Sequence, residues 1–82
     1  MKITVTLFGR YKDITGKNTI QFDITGDITI RDIIDAFAKE YPIVKKDKSR
    51  IMVIKNKMYT SHDTTVSESD DIAFSPPVVS GG

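Results

Sequence analysis

Gly26-Asp27-Ile28-Thr29-Ile30-Arg31-Asp32-Ile33-Ile34-Asp35-Ala36-Phe37-Ala38-Lys39-Glu40-Tyr41-Pro42 is the stretch that decides the architecture. Thr29 is a good N-cap residue, Asp32 three positions on completes a capping-box-like pair, and Ile28 and Ile33 stand at the N′ and N4 positions of a hydrophobic staple. The spacing therefore predicts a helix beginning at Ile30. Ile30, Ile33, Ile34, Phe37, Ala38 and Tyr41 recur at i, i+3, i+4, i+7, i+8 and i+11 as one apolar stripe, with Arg31, Asp35, Lys39 and Glu40 on the solvent side. Pro42 ends the helix, because the residue before a proline is pushed out of the α region. At ~1.5 Å per residue the helix is roughly 16 Å long, enough to cross one face of a small sheet. Each large stripe residue contributes about 1.5–3 kcal/mol on burial, so this face largely determines whether the domain folds.

Upstream, Ile3, Val5 and Leu7 alternate with Thr4 and Thr6, the period-2 pattern of a strand with one buried face, and Ile20, Phe22 and Ile24 alternate with Gln21 and Asp23 as a second. Phe8 falls on the outer face of the first strand. Gly9 to Asn18 is polar and turn-rich and reads as a hairpin connection, which pairs the two strands antiparallel. Downstream, Lys45-Lys46-Asp47-Lys48-Ser49-Arg50 reads as a solvated basic loop. Ile51-Met52-Val53-Ile54 is a continuous apolar strand. Asn56 accepts a left-handed turn, which leads into a short edge strand around Met58-Tyr59. His62 has no second ligand type at metal spacing nearby, so no metal is expected. Glu68-Ser69-Asp70-Asp71 is a turn, and Ile72-Ala73-Phe74 is the last strand. This order predicts an α+β fold, a mixed sheet of four to five strands packed on one main helix, with the first and last strands side by side at its centre.

The body is expected to span residues 1–75, and residues 76–82 to form a flexible C-terminal tail. Pro76 and Pro77 lack backbone N–H groups and cannot continue a strand ladder, so they leave the sheet extended. Gly81-Gly82 has no Cβ and fits a channel too narrow for other residues. The free carboxylate of Gly82 is ionised at neutral pH, its ordinary pKa being about 3.5, and is a nucleophile towards an activated phosphate. The rest of the composition removes rivals. There is no cysteine, hence no disulfide, catalytic thiol or cysteine metal site, and any sulfur handled here must arrive from elsewhere. A formal charge of +1 with both signs interspersed leaves no footprint for nucleic acid. The N-terminus lacks the apolar core of a signal peptide, and no segment approaches the ~20 apolar residues of a membrane span, so a cytoplasmic protein is expected.

With that element order and that ending, the sequence resembles the MoaD family of ubiquitin-like sulfur carriers, the small subunits of molybdopterin synthase. The resemblance covers essentially the whole chain. It is most specific at Asp70-Asp71-Ile72-Ala73-Phe74, Pro76-Pro77-Val78 and Gly81-Gly82, with Leu7-Phe8-Gly9-Arg10 and Gly16 also similar to the family's first strand and loop. It implies a β-grasp fold and a chain that is not catalytic alone. An E1-like adenylating enzyme would use ATP and Mg²⁺ to adenylate Gly82, and a sulfur donor would displace AMP. The resulting thiocarboxylate would carry sulfur into the large synthase subunit for a pterin precursor. Gly82 is then the covalent carrier, Gly81 the slim approach, Pro76 and Pro77 the residues that aim the tail, and Phe8 and Phe74 the candidate partner-docking surface. No cofactor is expected on this chain itself. The sequence departs from the family pattern in having two residues, Val79 and Ser80, where one usually separates Pro-Pro-Val from Gly-Gly. Ser75 stands where a second apolar residue often faces partners, and Ser69 replaces a turn glycine.

Two further outcomes use the same activated tail. Gly82 would form an isopeptide with target-protein lysines in a ubiquitin-like modifier, or supply sulfur for tRNA thiolation; the Pro-Pro exit leans away from a thiamin-type carrier. In a plain β-grasp interaction module, by contrast, the glycine tail would be inert.

Overall fold

The computed structural model describes residues 1–77. The expected tail residues Val78 to Gly82, including Gly81 and Gly82, lie outside them. The chain runs β1 (Lys2–Leu7), α1 (Arg10–Thr15), β2 (Thr19–Asp23), β3 (Ile28–Thr29), α2 (Ile30–Glu40), a 3₁₀ helix (Pro42–Asp47), β4 (Met52–Lys55), β5 (Met58–Tyr59), β6 (Thr65–Val66) and β7 (Ile72–Ser75).

α2 starts and stops where its residues require. The Thr29 backbone N–H donates to Asp32 Oδ2 at 2.9 Å, satisfying a donor at the helix start, and Ile28 and Ile33 of the staple are both buried. The helix ends at Glu40, and Tyr41 caps it outside the α region at φ −126°, ψ 81°, immediately before Pro42. Ile30, Ile33, Ile34, Phe37 and Ala38 are buried, while Arg31, Asp35, Lys39 and Glu40 are exposed. The stripe therefore does what its period requires.

Five strands form one sheet in the order β2-β1-β7-β4-β5. β1 pairs antiparallel with β2 and parallel with β7, and β7 pairs antiparallel with β4, so the first and last strands are central as expected. The parallel pairing follows from the crossover through α2, since two parallel strands need a long connection. Ile3, Val5 and Leu7, Ile20 and Phe22, Val53, and Ile72 and Phe74 form the buried face under α2. Aromatic packing closes this core: the Phe37 ring lies 5.4 Å from Tyr11, edge-on, and 5.8 Å from Phe74. A mixed five-stranded sheet on one main helix is the β-grasp arrangement.

Three segments differ from expectation. Residues read as a hairpin connection contain α1, which begins after Gly9 and ends at a left-handed Gly16, whose N–H donates to the Lys12 carbonyl at 2.8 Å. Its cause is Tyr11, which is fully buried and pulls the segment onto the core. The basic run at 45–50 is not simply a solvated loop. Its first part belongs to the 3₁₀ helix, in which Val44 and Asp47 are buried. A second ladder, β3 with β6, pairs Ile28 with Val66 and Thr29 with Thr65 antiparallel across the start of α2. At Asn56 the chain takes φ 53°, as anticipated, and Lys57 follows at φ 71°, turning β4 into β5.

Candidate functional site: the root of the C-terminal segment

β7 delivers the chain to Pro76, and its position is fixed from both flanks. Leu7 is the register partner of Phe74 on one side, and Val53 and Met52 are the partners of Phe74 and Ser75 on the other. Beyond the ladder, the Phe8 N–H donates to the Phe74 carbonyl at 3.1 Å. The strand ends at Ser75, and Pro76 and Pro77 follow outside it, both half-buried. The ladder has to end there, because neither proline has an N–H to donate.

The ring of Pro76 lies against the backbone of Gly9. An ideal Cβ built on Gly9 would stand 3.3 Å from both Cδ and Cγ of Pro76, closer than side-chain carbons normally approach. Gly9 itself has φ 59° and ψ −140°. This is a positive-φ conformation that residues with a Cβ avoid.

Phe8 and Phe74, paired above as a candidate docking surface, lie in different environments. Phe8 is 43% exposed, whereas Phe74 is 0% exposed and packed beneath α2. The docking role expected for Phe74 is therefore corrected. Period-2 alternation along β7 turns Ile72 and Phe74 inward and leaves Ala73 and Ser75 on the open side. The open face carries instead a cross-strand row of Thr6, Ala73, Ile54 and Tyr59. Phe8, Thr6, Ile54, Lys57, Asp71 and Ala73 line a shallow depression there. Met58 and Tyr59 at the sheet edge are 72% and 71% exposed.

A buried polar cluster braces the corner that holds Gly9. Asp47 accepts hydrogen bonds from the Tyr11 hydroxyl at 2.9 Å and from Arg10 Nη2 at 2.6 Å. Burial, followed by the bond to Asp47 and its negative charge, pushes the Tyr11 hydroxyl well above the ordinary tyrosine range, with Arg10 opposing. At the other end of β7, Asp70 accepts from the Ser67 N–H at 2.8 Å and from Asn56 Nδ2 at 3.0 Å. Those bonds, the backbone one first, and the nearby Lys55 ammonium hold its carboxyl below the usual carboxylate range against a smaller opposing effect of burial. Asn56 also ties its turn to the strand entry, its N–H donating to the Asp71 carbonyl at 2.7 Å and its Oδ1 accepting from the Asp71 N–H at 2.9 Å.

His62 Nε2 lies 2.8 Å from the Ile51 carbonyl, a structural contact. Among the described residues no cluster of three or more histidine, cysteine or acidic side chains is placed to hold a metal ion. No helix among them is long and apolar enough to cross a membrane. Sequence reasoning missed Gly9, Tyr11 and Asp47 as parts of this region. Gly9 precedes a polar stretch that invites a turn reading, and nothing local links it to a proline near the other terminus.

A family model described as the ThiS family matches residues 5–82. A molybdopterin synthase sulfur carrier subunit from Arabidopsis thaliana is 27% identical over 82 residues, covering 100% of this chain and 84% of that protein. Small archaeal modifier protein 1 from Haloferax volcanii is 27% identical over 84 residues, covering 93% of this chain and 95% of that protein. A crystal structure of SAMP1 from Haloferax volcanii is similar with a TM-score of 0.80 at 26% identity, covering 100% of each chain.

Proposed function

This chain belongs to the ThiS family, and on that footing we propose that it is a sulfur carrier whose reacting group is the carboxylate of Gly82. The observation that carries this reading is the extent of the family match, which runs to residue 82 and so takes in Gly81-Gly82 along with the body. A carboxylate is a poor electrophile because its charge is delocalised, so activation has to come first. A Gly82 carboxylate oxygen attacks the α-phosphorus of ATP on an E1-like partner, pyrophosphate leaves, and an acyl adenylate results. Mg²⁺ on that partner neutralises the phosphate charge. A sulfide-level donor then attacks the acyl carbon, the bond to AMP breaks, and a thiocarboxylate remains on Gly82.

The recipient we favour is a pterin precursor in the large subunit of a molybdopterin synthase, in line with the likeness to the plant sulfur carrier subunit. The protein in this reading supplies a rigid body and a reactive end, acts in the cytoplasm, and leaves catalysis to its partners. Residues 1–75 are the body and 76–82 the tail. Pro76 and Pro77 aim the tail, Gly81 keeps it slim, and Phe8 contributes to docking on the open sheet face.

A second outcome of the same activation is favoured by the likeness to small archaeal modifier protein 1. A lysine amine would then attack the acyl carbon of Gly82, the bond to AMP would break, and an isopeptide would form with loss of a proton. Deleting Gly82 in the native cells separates the outcomes. Loss of molybdenum-enzyme activity supports carriage and loss of conjugates supports modification. If both are unchanged, neither use of the tail stands.

A further inference from the structure

We propose that Gly9 is a positioning residue for the reaction at Gly82, its bare α-carbon forming the seat on which the Pro76 ring rests and from which the chain takes its heading. This rests on the reading of Gly82 as the reacting end. The argument begins with proline. Its ring locks φ near −65°, and Pro77 behind it confines the ψ of Pro76 to the extended range, so once the ring is placed the direction of the next peptide is largely decided. The ring of Pro76 is placed by contact with Gly9, at an approach of 3.3 Å to where a Cβ would be. No other residue leaves that space open, and the positive φ of Gly9 independently favours glycine.

The seat is also fixed in its surroundings. On the strand side the Phe8 N–H bonds the Phe74 carbonyl, two residues before Pro76, at 3.1 Å. On the helix side the Lys12 N–H donates to the Gly9 carbonyl at 3.1 Å and the Tyr11 N–H to the Phe8 carbonyl at 3.2 Å. α1 is in turn anchored through Tyr11 and Arg10 to the buried Asp47. Seat and strand are thus one rigid corner. A chain that leaves a rigid corner in a set direction loses less conformational freedom on entering a partner's channel, and small errors in placing a reacting atom cost rate steeply.

The test uses the full chain as wild type, Gly9→Ala, Pro76→Ala and the double variant. In the free wild-type protein, nuclear Overhauser contacts are expected between the Gly9 α-protons and the Pro76 δ- and γ-protons. Gly9→Ala should displace the ring by a few tenths of an ångström and shift the Pro77 signals. In the Pro76→Ala background the positive-φ strain at residue 9 remains but there is no ring to displace, so the same change should shift residue 77 clearly less. In pyrophosphate release with the E1-like adenylating enzyme of the same cells, Gly9→Ala should lower kcat about fivefold while KM changes by less than about twofold, because every side chain of the open sheet face, Phe8 included, is kept. In the Pro76→Ala background, where only the backbone strain is left, it should lower kcat by clearly less. Absence of the Gly9–Pro76 contacts, or an equal fall in kcat in both backgrounds, overturns the proposal, the second result marking Gly9 as a merely structural residue. If wild type is not adenylated at all, the reading of Gly82 fails and its positioning role with it. The contacts and the Pro77 shifts then still decide whether the seat exists.

Discussion

Asp47 holds its carboxylate at 3% exposure, and the Tyr11 hydroxyl is the neutral donor that meets it. Burying a charge is costly unless hydrogen bonds replace the lost water, and removing one donor leaves most of that cost uncompensated. Tyr11→Phe keeps the ring against Phe37 and removes only the hydroxyl. It is expected to destabilise the fold by about 1–3 kcal/mol, read as a lower urea midpoint at unchanged slope. Neither residue announced this in the sequence. Asp47 stands in a run of lysines, where a charge ordinarily faces water, and its partners come from a segment with no visible helical period. Phe74 misled for a related reason: its neighbourhood resembled a partner-facing ending, yet alternation from the buried Ile72 already turns it inward. Gly9 stood out in the sequence as the start of a turn-rich stretch and within the family-like Leu7-Phe8-Gly9-Arg10, but its contact was not legible, because it is made with a proline near the other terminus.

α2, β1 and β2 were legible because their signals are local. The 3.6-residue stripe with its capping residues, and the period-2 alternation of the strands, report burial within a single turn or a few residues. α1 is six residues long, too short for a period to show. The β3–β6 pair contributes two residues per strand, and its pairing is set by tertiary proximity. The turn entering β7 is held by polar contacts rather than by packing, and this gives it a pH dependence. The carboxyl of Asp70 is held below its ordinary value, so its bonds to Ser67 and Asn56 contribute fully above the unfolded-state pKa of about 3.9 and are lost as pH falls through the lower folded-state value. Thermal or urea unfolding followed between about pH 4 and pH 2 should show a steeper loss of stability in wild type than in Asp70→Asn. Parallel curves would contradict that role for the turn.

Taken whole, the molecule is a small mixed sheet whose central strand is clamped on both sides and runs directly into Pro76. The helix face, the ladder order and the Gly9 corner all fix the place from which the last residues depart. The open sheet face presents Phe8 and the Thr6-Ala73-Ile54-Tyr59 row, with the exposed Met58 beside it at the edge. In the proposed reading the body offers a fixed origin, and the reacting end is Gly82. That proposal was legible in the sequence because Gly81-Gly82 behind a Pro-Pro exit is a chemical pattern as well as a structural one. The recipient was not, because it depends on surfaces of other proteins. Intact-mass analysis of the protein purified from its native cells tests the assignment most directly. The account predicts a population heavier by the replacement of one oxygen by sulfur, located by fragmentation at Gly82, alone or together with branched lysine adducts ending in Gly82. A Gly82 carboxylate that is unmodified throughout, with no such adducts on any protein, would contradict it.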